Sequence, residues 1–180
     1  MATPRKQVLI DTAYRLFNQH GYHATGIDRI LADSGVSKAT LYKHFKSKEE
    51  LILEVLQQRH EQLYAMLERA MQENKSSHPA LALFDALNNW FQSEHFYGCN
   101  FIKAGGEYPQ IQDPIHSFSA WHKNSVSQLL SRYLPENQQY LSNAFCLLAD
   151  GAIIAAQIRG QKDAAKQAKI FAQQLLTAHI

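Results

Sequence analysis

The stretch ADSGVSKATLYKHFKSKEEL, residues 32–51, decides the fold. Glycine readily adopts the left-handed conformation that ends a helix, so Gly35 is expected to stop one helix abruptly. Ser37 is expected to begin the next helix, because a serine side chain accepts a hydrogen bond from the free amides of a first helical turn. Two short helices joined through Ser-Gly-Val predict a helix-turn-helix.

The second helix of this pair is predicted to expose an unusual surface. Leu41 and Phe45 lie four residues apart and are expected to form its buried side, which leaves small, basic and aromatic residues facing outward. In a helix-turn-helix the second helix enters the major groove, where lysine can donate to guanine and an alanine methyl can pack on thymine. The residues placed to contact phosphate oxygens lie further along the chain: Tyr42, Lys43, His44 and Lys48. The predicted base-reading and phosphate-binding residues are Ser37, Lys38, Ala39, Thr40, Tyr42, Lys43, His44 and Lys48.

Helical periodicity continues on both sides of this stretch. Residues 5–20 predict a first helix, and Thr25 is placed to cap the second. Ser47 and Glu50 have the spacing of a capping box and begin a fourth helix of about seven turns. The polar segment 74–79 predicts a linker. Further helices are predicted at 79–95, 99–107, 112–134, 136–158 and 163–179.

The pattern predicts an all-α protein of about nine helices. A three-helix DNA-binding domain is expected over residues 1–47 and a second helical domain over 48–180, with helix 48–74 connecting the two. A chain of 180 residues, 46% of them hydrophobic, is long enough to bury a sizeable core. Disulfide or metal staples are not required.

Basic charge is concentrated at the N-terminus. Residues 1–48 hold 8 Lys and Arg against 3 Asp and Glu, whereas residues 49–180 hold 10 against 13. Localised positive charge attracts the phosphate backbone of nucleic acids. The asymmetry therefore supports DNA binding by the predicted N-terminal domain.

Other classes of protein find little support in the sequence. The first residues lack the apolar core of a signal peptide, and the longest apolar run, AFCLLADGAIIAAQI, carries Asp150 and is too short to span a bilayer. The two cysteines, Cys99 and Cys146, have no metal-ligand spacing. We expect a soluble, cytoplasmic protein with no metal, cofactor or membrane partner.

The continuous pattern GYHATGIDRILADSGVSKATLYKHFKSKEELILEVL, residues 21–56, resembles the signature of the TetR family of bacterial transcriptional regulators. The resemblance implies a repressor that binds a palindromic double-stranded DNA operator as a dimer and is released by a small-molecule effector. It implies that Thr25 contacts phosphate as well as capping a helix. It also makes the second domain a ligand-binding and dimerisation domain.

The segment AFCLLADGAIIAAQI, residues 144–158, is apolar nearly all round, whereas a helix on the surface of a monomer needs only an apolar stripe. Gly151, Ala152, Ala155 and Ala156 are expected to permit close contact with another helix. The resemblance implies that the last two helices pair with those of a second copy, which gives a homodimer through residues 136–179. A buried monomeric core is the alternative.

An aromatic-rich region lies between the linker and this interface. On the helix from Gln112, the spacing of Ile115, Phe118, His122 and Ser125 places two polar residues on an apolar face. The resemblance implies an effector cavity there, although the same residues would also build an ordinary core. The predicted effector-binding residues are Trp90, Phe91, Cys99, Phe101, Phe118, Trp121, His122 and Ser125.

Cys99 supports an alternative mechanism within the same fold. It follows Gly98 at the predicted start of a helix, where the helix dipole favours a thiolate, and this position suits a redox or electrophile sensor. A small buried residue in a tight corner is the simpler interpretation.

An enzyme and a helical adaptor without DNA binding are two alternatives to a DNA-binding regulator. Glu107 lacks an evident acid-base partner, and the intact SKATLYKHFKSK segment argues against the adaptor.

Overall fold

The computed structural model describes residues 4–178, and within that range it contains α-helices, two short 3-10 helices and no strand. The predicted all-α fold is confirmed. The 3-10 helices are Pro79–Leu81 and Glu136–Gln138. The α-helices are α1 (Pro4–His20), α2 (Ile27–Ser34), α3 (Lys38–His44), α4 (Lys48–Glu73), α5 (Ala82–Phe91), α6 (Asn100–Glu107), α7 (Pro114–Arg132), α8 (Leu141–Arg159) and α9 (Ala164–Thr177).

The chain divides into two compact units. The first contains the described part of residues 1–61 together with residues 99–121, and the second contains residues 62–98 and the described part of 122–180. The helices α4 and α7 each contribute residues to both units. The division into domains 1–47 and 48–180 is a functional one, and it stays a prediction.

The first unit is built around the apolar faces of α1, α2 and α3. Leu16 and Phe17 of α1 are fully buried, as are Ile30 of α2 and Leu41 of α3. Phe45, which follows α3, is also buried. The predicted inward side of the short third helix is therefore confirmed.

The turn between α2 and α3 has the geometry expected from its sequence. Gly35 has φ 66°, and its amide donates to the Leu31 carbonyl, which closes α2. The Ser37 hydroxyl accepts from the Thr40 amide at 3.2 Å and so caps α3. The predicted cap of α2 is wrong: Gly26 holds the N-cap position, and the Thr25 hydroxyl donates backward to the Gly21 carbonyl at 2.7 Å.

The start of α4 carries a reciprocal cap close to the predicted one. The Glu50 amide donates to the Ser47 hydroxyl at 3.2 Å, as a capping box requires. The Glu50 carboxylate accepts from the amide of Lys46, one residue before the expected partner, at 2.6 Å. Both groups satisfy amides that would otherwise lack partners at a helix start.

In the second unit, α5, α8 and α9 form the core. The rings of Phe84 and Phe145 lie 5.6 Å apart between α5 and α8. Alanines line the inner faces of α8 and α9 and let the two backbones approach. Ala155 is one of them and is only 6% exposed, so the close helix contact expected of it is made within its own chain and not with a second copy. Ala152 and Ala156 are buried in the same way.

The opposite side of α8 is apolar and exposed. Leu147 and Ile158 are 75% and 72% exposed, and Ile154 lies between them on the same side. On α9, Ile170 and Phe171 are also exposed. Helix α8 begins at Leu141 rather than 136, because residues 136–138 form a 3-10 turn instead. We use the name apolar stripe for the five exposed side chains Leu147, Ile154, Ile158, Ile170 and Phe171.

Helix α8 is also the one helix within residues 4–178 whose length and mean hydropathy, 1.5, suit a membrane span. Only length and composition support such a role, and 44% of the apolar stretch is buried within the protein. Asp150 lies in the middle of α8 and pairs with Lys123 of α7. Core helices of water-soluble proteins share these properties, so the apolar composition alone assigns no membrane.

Candidate functional site

The outer surface of α3 presents the side chains predicted to meet DNA. Ser37, Lys38, Ala39 and Lys43 are exposed, and Tyr42 is 47% exposed although it is aromatic. Thr40 is half-buried, and its hydroxyl lies 2.9 Å from that of Ser37. The buried Leu41 anchors the helix from the other side. Small and basic groups thus occupy the positions from which a recognition helix reaches base edges.

Lys48 and His44 lie at the edge of this surface. Both are half-buried, and the His44 ring lies 6.4 Å from that of Phe45. The Lys48 ammonium makes a long contact, 3.5 Å, to the His23 carbonyl. Partial burial lowers the pKa of Lys48 from its ordinary value. The ammonium has three N–H donors, so this contact leaves two of them for a phosphate oxygen.

Thr25 does not share this surface. It is 2% exposed, and its hydroxyl is within hydrogen-bonding distance of the carbonyls of Gly21 and Leu16. Its role is to close the loop after α1. The structure offers no support for a phosphate contact by this side chain.

A charged cluster next to α2 was not anticipated from the sequence. Asp33 accepts from Arg15 of α1 and from Arg29 of α2, each at 2.9 Å. The hydrogen-bonded Arg15 guanidinium holds the pKa of the Asp33 carboxyl below its ordinary value, and Arg29 acts in the same direction. The cluster connects the first two helices across the surface of the first unit.

The residues predicted to bind an effector fall into both units. In the second unit, Trp90 and Phe91 pack with Phe96 at ring distances of 4.9 Å each, and Phe91 is fully buried. His122 is 4% exposed and Ser125 is half-buried, as expected for an inward face. Phe91 thus belongs to the core of that unit, and Trp90 and Phe96 are half-buried beside it.

In the first unit, the expected cavity residues have different environments. Phe101 is buried, whereas Trp121 is 50% exposed. The Trp121 ring lies 4.5 Å from that of His60 and 5.2 Å from that of Phe118. The predicted effector contact of Trp121 stays a prediction, and a ring that is half exposed can only line an open site. Cys99 is buried immediately before α6.

One open depression, of about 370 Å³, lies along α4 and contains none of the predicted effector residues. It is lined by Gln62, Ala65, Met66, Arg69, Ala70 and Glu73. Among residues 4–178, no three His, Cys, Asp or Glu side chains come together as a metal site would require.

Glu107 is the residue whose partners sequence reasoning missed. Its carboxylate accepts from the amides of Tyr22 and His23, which lie some 85 positions earlier in the chain. The sequence does contain one indication that Glu107 has distant partners. A carboxylate at the C-terminal end of a helix is repelled by the helix dipole and therefore needs hydrogen-bond donors from elsewhere. Glu107 is the last residue of α6.

The comparisons with known proteins agree with this architecture. The family model for bacterial regulatory proteins of the tetR family matches residues 9–55, which contain α2 and α3. The solved structure of SCO4454, a TetR-family transcriptional regulator from Streptomyces coelicolor, superimposes with a TM-score of 0.89. It is 27% identical in sequence, and the match covers 96% of this chain and 94% of that one.

Two relatives extend the similarity in sequence. The HTH-type transcriptional activator FasR of Mycolicibacterium smegmatis is 37% identical over 133 residues, 71% of this chain and 59% of FasR. The negative regulator of the biofilm operon, IcaR of Staphylococcus aureus, is 31% identical over 123 residues, 63% of this chain and 65% of IcaR. The match thus spans less than two thirds of either relative.

The buried helix-turn-helix core and the exposed basic surface of α3 define a DNA-binding transcriptional regulator of the helix-turn-helix class. The chain belongs to the TetR family of bacterial transcriptional regulators. Proteins of this kind regulate transcription and are not enzymes.

Proposed function

We propose that this protein is a repressor that binds a palindromic DNA operator as a homodimer and is released by a small-molecule effector. The observation that carries the proposal is the surface of α3. Lys38 and Ala39 are exposed beside Tyr42 and Lys43, while Leu41 holds the helix from beneath. A helix that only contributed to folding would need neither the aromatic exposure nor the local basic charge.

The residues on and beside α3 divide two tasks in this proposal. Lys38, Ala39 and Thr40 read base edges, and Ser37 holds the helix start against the groove. Tyr42, Lys43, His44 and Lys48 contact phosphate. Residues 1–47 then form the DNA-binding domain, and residues 48–180 carry ligand binding and dimerisation. The protein would act in the cytoplasm, where the bacterial chromosome lies.

Dimerisation is proposed through the apolar stripe on α8 and α9. Exposed apolar surface of this extent on neighbouring helices is typical of an interface between proteins. Because the same stripe exists on every copy, two copies can pair symmetrically around a two-fold axis. The predicted interface, residues 136–179, contains the stripe, and its last residue, His179, lies outside the described residues.

The proposal includes an effector site in the helical domain that follows the DNA-binding domain. The aromatic residues and the buried His122 support an apolar compound with a few polar groups. Release through Cys99 gains no support from its environment, because that thiol is buried. IcaR, a negative regulator by name, supports repression, whereas FasR is named an activator.

A binding experiment with DNA tests the core of the proposal. Fluorescence anisotropy with duplexes from the region around the gene should identify one fragment bound far more tightly than random DNA. The affinity should fall steeply as salt rises, because phosphate contacts release counterions. If every duplex binds equally weakly at moderate salt, the protein is not an operator-binding regulator.

A further inference from the structure

Glu107 closes α6 with a charge that the helix itself does not favour. The C-terminal end of a helix carries partial negative charge, so a carboxylate there is stabilised only by donors from elsewhere. Glu107 has two such donors, both in the loop that follows α1. Its carboxylate oxygens accept from the Tyr22 amide at 2.9 Å and from the His23 amide at 2.6 Å.

The loop is shaped to receive this carboxylate. Gly21 has φ 90°, a conformation that turns successive backbone amides toward one point and so creates an anion-binding concavity. A Cβ atom on Gly21 would lie only 2.7 Å from Glu107 Oε1. Glycine is therefore required at this position both for the backbone angle and for the approach of the carboxylate.

The contact is reciprocal. A ring nitrogen of His23 lies 2.7 Å from the backbone carbonyl of Glu107, and the tautomer that carries its proton there donates to it. The same ring packs on Tyr108 with a centroid distance of 4.8 Å. We call the residues Gly21, Tyr22, His23 and Glu107 the clasp.

Two further bonds connect α6 to the same region of the first unit. The Lys103 ammonium donates to the Asn18 carbonyl, near the end of α1, at 2.6 Å. The Tyr22 hydroxyl donates to the Asn100 carbonyl at 3.1 Å. The loop after α1 is thus attached to both ends of α6.

We propose that Glu107 is a positioning residue for operator binding: by holding the loop between α1 and α2, it sets the orientation of α2 and of the recognition helix α3. The loop is the only covalent path from α1 to α2, and α3 follows α2 after one short turn. Hydrogen bonds from amides to a carboxylate are stronger than those between neutral groups. The inference rests on the proposed function, since it assigns Glu107 a part in operator binding.

Two substitutions at Glu107 separate positioning from charge. Glu107→Gln removes a negative charge, so electrostatics alone would raise the affinity for DNA. Glu107→Asp keeps the charge but is one methylene too short to reach both amides. If Glu107 positions the helices, both variants should bind the operator on the order of tenfold more weakly. Their affinity for random duplex should change much less, because non-specific binding needs no fixed orientation of α3.

Glu94→Gln is the matched control, since Glu94 is an exposed acid of the second unit. It should leave the ratio of operator to random affinity unchanged. His23→Ala, which keeps both amides and removes only the ring, should lower that ratio by a smaller factor. A ratio that stays at the wild-type value in Glu107→Gln and Glu107→Asp would overturn the proposal, as would an equal loss for both kinds of duplex.

Hydrogen exchange of the wild-type protein tests the clasp without any substitution, so its result does not depend on whether a variant folds. The amides of Tyr22 and His23 should exchange as slowly as those within α1, although they lie in a loop. Fast exchange at both amides would show that the clasp does not form and would overturn the proposal. If the wild type selects no duplex at all, the proposed function fails instead, and the exchange measurement still reports on the clasp.

Discussion

The ammonium of Lys38, at the start of α3, lies 3.9 Å from the carboxylate of Asp28, in the first turn of α2. Both side chains are largely exposed, and such a pair contributes little to stability. Lys38 can therefore leave Asp28 for a guanine edge at small cost.

Lys38→Ala should reduce operator affinity by about 1–3 kcal/mol and relax the base preference at one position of each half-site. Lys48→Ala should instead weaken binding to all sequences about equally, because a phosphate contact carries no sequence information. Anisotropy against operators with single-base changes measures both effects. An unchanged base preference in Lys38→Ala would remove this residue from the reading set.

Ile158→Arg should convert the dimer to a monomer at micromolar concentration. Ile158 is exposed on the isolated chain, so the fold should survive, but a dimer would bury the new charge without a partner. Sedimentation velocity measures the change. Ile111→Arg is the matched control, because Ile111 is equally exposed outside α8 and α9. A dimer that persists in Ile158→Arg would exclude the apolar stripe as the interface.

The substitution Ala155→Arg has a different expected result. Ala155 packs inside its own chain, so an arginine there should lower the melting temperature instead of only separating two copies. The different results expected for Ile158→Arg and Ala155→Arg reflect the one feature of α8 that the sequence could not predict, namely which of its sides is buried within the chain. A helix that is apolar all round predicts two covered sides, but it does not say which side faces its own chain and which a partner.

The local parts of the fold could be predicted well. The cap by Ser37, the turn at Gly35 and the burial of Leu41 depend on neighbours within a few residues, and each is found in the structure. Thr25 shows the first limit of such local reasoning. Its hydroxyl could either accept from an amide at the start of α2 or donate to a carbonyl of the preceding loop, and the sequence alone does not decide between the two. Glu107 shows the second limit, because its partners are distant in sequence and only the tertiary fold brings them together.

Both thiols should react slowly in the native protein. Cys99 is buried, and burial together with the nearby Asp150 carboxylate raises the pKa of Cys146, which lowers its thiolate fraction. Iodoacetamide labelling followed by mass spectrometry should therefore show rapid modification only after unfolding. Fast oxidation of Cys99 by peroxide, with loss of DNA binding that Cys99→Ser prevents, would instead support the redox alternative.

His60 should make the protein less stable in mild acid. Partial burial lowers the pKa of His60 below its ordinary value of 6.5, although Glu61 opposes the shift. Between the two values the unfolded chain binds more protons, so the stabilisation is present above about pH 6.5 and is lost as pH falls toward the folded-state pKa. Urea unfolding across this range should show a shallower decline for His60→Gln. Parallel curves for both proteins would contradict this assignment.

Two glycine-to-alanine substitutions should change the free energy of unfolding in opposite directions. Gly98→Ala should lower the free energy of unfolding by about 1–2 kcal/mol, since Gly98 has φ 89° and a Cβ would meet the Gln157 side chain. Gly105→Ala should raise it by about 0.5–1 kcal/mol, because Gly105 lies within α6 and its Cβ would meet nothing within 4 Å. Denaturant unfolding tests both, and a loss in Gly105→Ala would contradict the open space beside it.

Leu41 and Phe45 secure α3 from below, while the side chains of Lys38 and Ala39 point away from the core and carry almost none of its packing. Mutation can therefore change these outer positions at little cost in stability. After a gene duplication, two copies of such a regulator could diverge to separate sets of target genes while both still fold. The same freedom makes residues 38–40 the natural positions to randomise when building a panel of regulators that do not cross-react.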